Sequence, residues 1–166
     1  MIADKKMNKT VVILLICVLF IMALIFYFSS QPFEQSDKIS KSVMKVILSW
    51  LMPYMDVNSI SIPAFNHKIR KTAHFLLYFL LGFNLCFLFA VIKNRNNIIL
   101  YSMLIGLFYA ISDEFHQMFI TGRGAKWQDV LLDFCSTAIG SAAALLLYKH
   151  LRKQPPKHIK TKKGKI

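Results

Sequence analysis

Nineteen consecutive residues, Thr10 to Phe28, pass without a charge. As a helix they span about 28 Å, close to the roughly 30 Å of a bilayer's hydrocarbon core. A cleaved secretory leader is the rival explanation. Its apolar part is usually only about 7–15 residues, and no Ala-x-Ala site follows here, so a retained first span is expected. Three more runs of similar length follow, Ala73 to Ile92, Ile98 to about Ile120, and Trp127 to about Tyr148. The fold class this predicts is an all-α integral membrane protein of four transmembrane helices.

Composition agrees. The 166 residues are 55% hydrophobic, with a mean hydropathy of +0.47 and a formal net charge of +13. A soluble domain has little reason to combine the two, whereas a membrane protein places spans in lipid and charges in loops. A nucleic acid partner is not expected, because the basic residues gather at the two ends rather than along an aromatic-bearing surface. Cys17, Cys86 and Cys135 lie inside apolar runs without metal-type spacing and read as small buried hydrophobes.

Between the first two spans, Ile39, Val43, Val46, Ile47, Trp50 and Leu51 recur at helical spacing, with Lys38, Lys41 and Lys45 opposite and Pro53 as a stop. This predicts an amphipathic helix in the headgroup layer, Trp50 serving as anchor. A helix packed over the end of the bundle fits the same pattern. Lys93 to Asn97 reads as a tight turn. The organisation expected is a basic amino-terminal segment (residues 1–9), a membrane domain (10–148) and a basic, disordered tail (149–166). With both termini inside, cytoplasmic segments carry 13 Lys/Arg and external loops 8. The positive-inside rule therefore favours a multi-pass protein of the cell membrane with both termini cytoplasmic.

The third run carries something costly. Asp113, Glu114, His116 and Gln117 stand within five positions of a segment otherwise rich in Leu, Ile, Met and Phe. One ionisable group inside a span costs roughly 2.5–3.5 kcal/mol on insertion scales, so such a cluster points to function. Helix rise puts Asp113 about 22 Å past Ile98, roughly 7 Å short of the outer boundary. His116 and Gln117 lie a turn further out. On the fourth span Asp129 marks the entrance and Asp133 sits about 6 Å deeper. On the second, His74 is near the entrance, with Lys71 above and Tyr78 a turn below. Ser29, Ser30 and Gln31 leave the first span on the same side. All four helices are thus expected to bring polar residues to one depth just beneath the outer surface. Asp113, His116 and Gln117 at i, i+3 and i+4 are expected to share a face, as are Asp129 with Asp133 and His74 with Tyr78. Taken singly, His74 could be an interfacial histidine, Asp133 a cap or a hydrogen-bond partner for a neighbouring helix, and Arg123 a marker of the membrane surface.

Ser29-Ser30-Gln31-Pro32, Lys71-Thr72-Ala73-His74 with Tyr78 and Gly82, Asp113-Glu114-x-His116-Gln117 followed by Gly122-Arg123, and Asp129-x-x-x-Asp133 with Gly140 resemble the VanZ-like family of small bacterial membrane proteins. The resemblance covers residues 10–148. Ser136 stands where that pattern often has glycine, yet Ser136-x-x-x-Gly140 still permits close helix approach. The resemblance implies a multi-pass protein of the cell envelope. The family is named for an accessory factor of low-level resistance to the glycopeptide teicoplanin.

Four functions fit the residues. The first acts at the outer leaflet on envelope or lipid-linked molecules, such as a lipid-linked precursor, or excludes a lipophilic glycopeptide. The second is an acid/base or metal-dependent enzyme, a divalent metal being held by His74, Asp113, His116 or Asp133, with Glu114 and Asp129 at hand. No His-Glu-x-x-His signature is present. The third is a small transporter, which four spans without inverted repeats do not favour. A purely structural polar network is the fourth.

Overall fold

In the computed structural model, residues 9–51, 53–54, 61–92 and 97–153 are described, with backbone alone for 152 and 153. They form five helices, α1 (Lys9–Ser29), α2 (Phe33–Leu51), α3 (Ile62–Val91), α4 (Ile98–Gln117) and α5 (Trp127–Lys153). Helices α1, α3, α4 and α5 are long and apolar enough to cross a membrane. Their outward faces make the same point: Ile16, Leu19, Phe20, Phe108 and Leu146 are all exposed and all apolar. An exterior this apolar would associate indiscriminately in water and is at home in lipid.

Because α1 is apolar all round, no polar stripe aligns it, and shape does instead. Val18, Ile21 and Ile25 recur at helical spacing and pack against Tyr78, Leu81, Leu85 and Leu88 of α3 and Ala110 of α4. A second core joins the far ends of α3, α4 and α5 around Cys86, Ala90, Ile98 and Ala144. Helices α3 and α5 make the most extensive pair, and small residues bring their backbones together. A Cβ added at Gly82 would collide with the Thr137 carbonyl, and one at Gly140 with the Phe79 carbonyl. Ser141 donates to the Gly82 carbonyl at 3.1 Å. With apolar lipid outside, such close packing replaces hydrophobic burial as the force between helices.

Helix α2 rests on α3 through Ser40, Met44 and Leu48, while Ile39, Val43, Val46, Ile47 and Trp50 stay exposed. Asn66 of α3 donates to Asp37 Oδ1 at 2.6 Å. The Lys41 ammonium, 2.6 Å from Asp37 Oδ2, holds that carboxyl below its ordinary range. The start of α2 also meets the α4–α5 loop: Phe33 N–H donates to the Thr121 carbonyl at 3.2 Å, and Phe33 abuts Gly122, whose φ of +75° suits glycine.

Several boundaries differ from those expected. Helix α3 begins at Ile62 rather than Ala73, so the polar stretch from Asn66 to Lys71 is helical. Pro63 fits its first turn, where no N–H is needed, and Asn66 and Arg70 of that stretch contact α2. Helix α4 stops at Gln117, three residues early. There Phe119 and Ile120 donate to carbonyls three residues back, at 3.1 Å each, and Gly122 follows. Helix α5 continues past Tyr148 to Lys153, so the first residues of the expected tail are helical. Cys135 is exposed and Cys17 half-buried, with only Cys86 buried, because an apolar side chain in lipid need not point inward. The turn at residues 93–96, most of the amino-terminal segment and the tail beyond 153 lie outside the described residues.

Candidate functional site

The end of α1 supplies the first piece. Ser29, fully buried, donates its Oγ to Asp113 Oδ2 at 2.9 Å, and Gln117 Nε2, one turn on, donates to the same oxygen at 3.1 Å. Arg123 extends the chain outward: its guanidinium donates to Gln117 Oε1 at 3.3 Å and to the Phe28 carbonyl at 3.2 Å. A charged group in this loop is therefore held by neutral acceptors. Burial, together with the nearby Arg70, lowers its pKa from the ordinary value, while Asp113 and Glu114 pull the other way.

From the opposite side, α3 and α5 bring His74 and Asp133. His74 Nδ1 lies 3.8 Å from Asp133 Oδ2, too long for a hydrogen bond. One ligand atom from each of His74, Asp113 and Asp133 can be chosen so that all three lie within 4.8 Å of one another. Asp133 is 1% exposed, and neither of its carboxylate oxygens has a hydrogen-bond partner among the described residues. The hydroxyl of Tyr78, fully buried a turn from the partly buried His74, is also without a partner among the described residues. Four helices thus meet at one layer, each giving one residue: Ser29, His74, Asp113 and Asp133.

The remaining candidates surround this centre. Glu114 is buried and accepts from the Lys126 backbone N–H at 2.8 Å, fastening the start of α5 to α4. Lys71 and Asp129 form an ion pair at 2.6 Å, both partly exposed. His116 does not join the centre. Its Nε2 lies 3.1 Å from Ser30 Oγ, and its ring stacks on Phe26 with centroids 4.7 Å apart. Positions i+3 and i+4 straddle the axis through Asp113, about 100° apart on the helix. Gln117 takes the side facing Asp113, and His116 is turned onto α1.

A cavity of about 540 Å³ opens beside the centre, between α2, α3 and the α4–α5 loop. His74, Asp133, Glu114 and Gln117 line one part of it, and Arg70, Lys71, Arg123 and Lys126 another. Asp129, His67 and Gln31 add further polar groups, and an apolar wall includes Phe28, Phe33, Ile39, Val43, Leu76 and Leu132. Sequence reasoning singled out neither Ser29 as a partner of Asp113 nor Arg70, Lys126 and Phe33 as cavity residues. Ser29 carried a signal, since it leaves its span on the same side as the others. Phe33 carried none, because its place depends on how α2 docks.

Four helices of membrane-crossing length, packed around buried ionisable groups, define a multi-pass helical membrane protein. The sequence profile of the VanZ/LLP1 family matches residues 14–148, and the chain belongs to that family. No curated protein and no solved structure matches it.

Proposed function

We propose that this protein acts in the bacterial cell membrane on an anionic, lipid-linked envelope molecule, whose headgroup enters the cavity from the outer leaflet. The observation that carries the reading is the cavity's two-sided chemistry. An apolar wall from α2 and α3 adjoins four cationic side chains, and one of them, Arg123, has only neutral hydrogen-bond partners among the described residues. A planar guanidinium in that state suits a phosphate or carboxylate, which it can grip with two parallel bonds. The apolar wall suits the adjoining acyl or prenyl chain. In this reading α2 lies in the headgroup layer with Trp50 as anchor, both termini are cytoplasmic, and the centre of His74, Asp113 and Asp133 sits below the bound headgroup. The set Lys71, His74, Tyr78, Asp113, Glu114, His116, Gln117, Arg123, Asp129 and Asp133 forms the site and its surround. Reduced susceptibility to teicoplanin follows if the molecule handled is a glycopeptide target or the lipophilic glycopeptide itself.

The test is photo-crosslinking in bilayers with two diacyl probes that differ only in headgroup, one phosphatidic acid and one phosphatidylcholine. Preferential capture of the anionic probe at residues lining the cavity, reduced in Arg123→Ala, is expected. Equal capture of both probes, unchanged in Arg123→Ala, would remove the basis for the reading. Teicoplanin susceptibility of strains with and without the gene then tests the physiological extension.

A further inference from the structure

We infer that His74, Asp113 and Asp133 form a binding site for one divalent transition-metal ion of the Zn²⁺ or Mn²⁺ class. The inference stands on the centre alone and does not depend on what fills the cavity.

The first argument is electrostatic. Asp113 and Asp133 are 4% and 1% exposed, and they face each other across the interior of a membrane bundle. Taking a carboxylate out of water is unfavourable unless a counter-charge or hydrogen bonds replace the hydration. Asp113 has two donors, Ser29 and Gln117. Asp133 has none among the described residues: both of its oxygens lack a donor there, and the His74 nitrogen stands off at 3.8 Å. No Lys or Arg reaches either carboxylate within ion-pair distance among the described residues. A divalent cation matches the two negative charges, supplies Asp133 with a partner, and takes His74 as a neutral ligand.

The second argument is geometric. In a tetrahedral site with metal–ligand bonds of about 2.1 Å, ligand atoms are about 3.4 Å apart. His74 and Asp133 are already near that separation. The widest of the three separations, 4.8 Å at most, closes with modest side-chain rotation. One imidazole and two carboxylates suit Zn²⁺ or Mn²⁺ better than soft Cu⁺ or hard Ca²⁺. Ser29 and Gln117 orient the Asp113 ligand, as outer-sphere partners do in metal sites. Three protein ligands leave positions free, the arrangement of catalytic rather than structural sites. His74 and Asp133 line the cavity, so those positions face it and are open to a water or to an oxygen of a bound headgroup. His116 belongs to a separate pair with Ser30, and His67, which lines the cavity, does not join the three-residue group.

The experiment uses the full chain, purified in detergent without a polyhistidine tag. Metal content is measured by mass spectrometry before and after chelation, and the chelated protein is titrated with Zn²⁺, Mn²⁺, Mg²⁺ and Co²⁺. About one equivalent of Zn²⁺ or Mn²⁺ per chain is expected, with a melting temperature that rises with free metal, as linkage requires. Asp133→Asn and His74→Gln should each weaken binding by more than the roughly 10–100-fold that loss of an outer-sphere partner costs. The Co²⁺ form should show visible absorption that is lost in His74→Gln. Asp37→Asn, on α2 and outside both the centre and the cavity lining, should bind as the parent does. Should either centre variant fail to fold, the parent's stoichiometry and Co²⁺ spectrum decide alone. Under a tenth of an equivalent with no metal-dependent melting shift would overturn the inference. So would unchanged affinity in both centre variants, which would place the metal elsewhere.

Discussion

The two ends of this bundle solve the same packing problem in opposite ways. Around Cys86, Ala90, Ile98 and Ala144 the helices touch through small and apolar side chains. In the middle, Gly82 and Gly140 let the α3 and α5 backbones meet directly. Around Ser29, His74, Asp113 and Asp133 the helices meet through polar groups, two of whose carboxylate oxygens have no partner among the described residues. One end is optimised for cohesion. The other keeps buried polar groups where apolar residues of similar volume are often accommodated without loss of stability, as the proposed site would require.

That contrast can be broken or sharpened by substitution. The largest effect is expected in the cohesive region. Gly82→Val places side-chain atoms on the Thr137 backbone, which cannot yield, so the loss should reach at least about 3 kcal/mol, the upper range for overpacking. Little folded protein should survive extraction, as size-exclusion chromatography would reveal. At the polar end, Ser29→Ala removes one of two donors to Asp113 and should cost about 1.5–3 kcal/mol, the value for a hydrogen bond to a charged group. Thermal melting in detergent measures it. Asp133→Asn should go the other way in metal-free protein: removing an unpartnered buried charge raises stability by about 1–2 kcal/mol while abolishing function. A lower melting point for this variant would show that the carboxylate is structural. Smallest is the Lys71–Asp129 pair, partly exposed on both sides. A double-mutant cycle with Lys71→Ala and Asp129→Asn should give about 1 kcal/mol or less.

Most of the bundle was legible because lipid imposes a simple rule on sequence. Runs of about 20 apolar residues announced α1, α3, α4 and α5, and Trp127 and Ile98 were placed as helix starts where the structure has them. What hydropathy could not see was the polar first third of α3. Its residues are fixed by α2, through Asn66 with Asp37 and Arg70 over the Phe33 ring, and such partners are distant in sequence. Helical spacing brought Asp113, Asp133 and His74 to a common depth, and these three do meet. Depth alone did not separate His116 from Gln117, since a one-residue step turns a side chain about 100° around the axis. The cavity was beyond reach altogether, because its apolar wall depends on the docking of α2.

The central claim is that buried ionisable groups from separate helices touch in one interior layer. Solid-state NMR on the protein in lipid bilayers measures this directly, through dipolar coupling between the Asp133 carboxyl carbon and the His74 imidazole nitrogens. The 3.8 Å separation of Nδ1 and Oδ2 predicts a clear coupling that disappears in His74→Gln. Absence of that coupling in the parent protein would contradict the account.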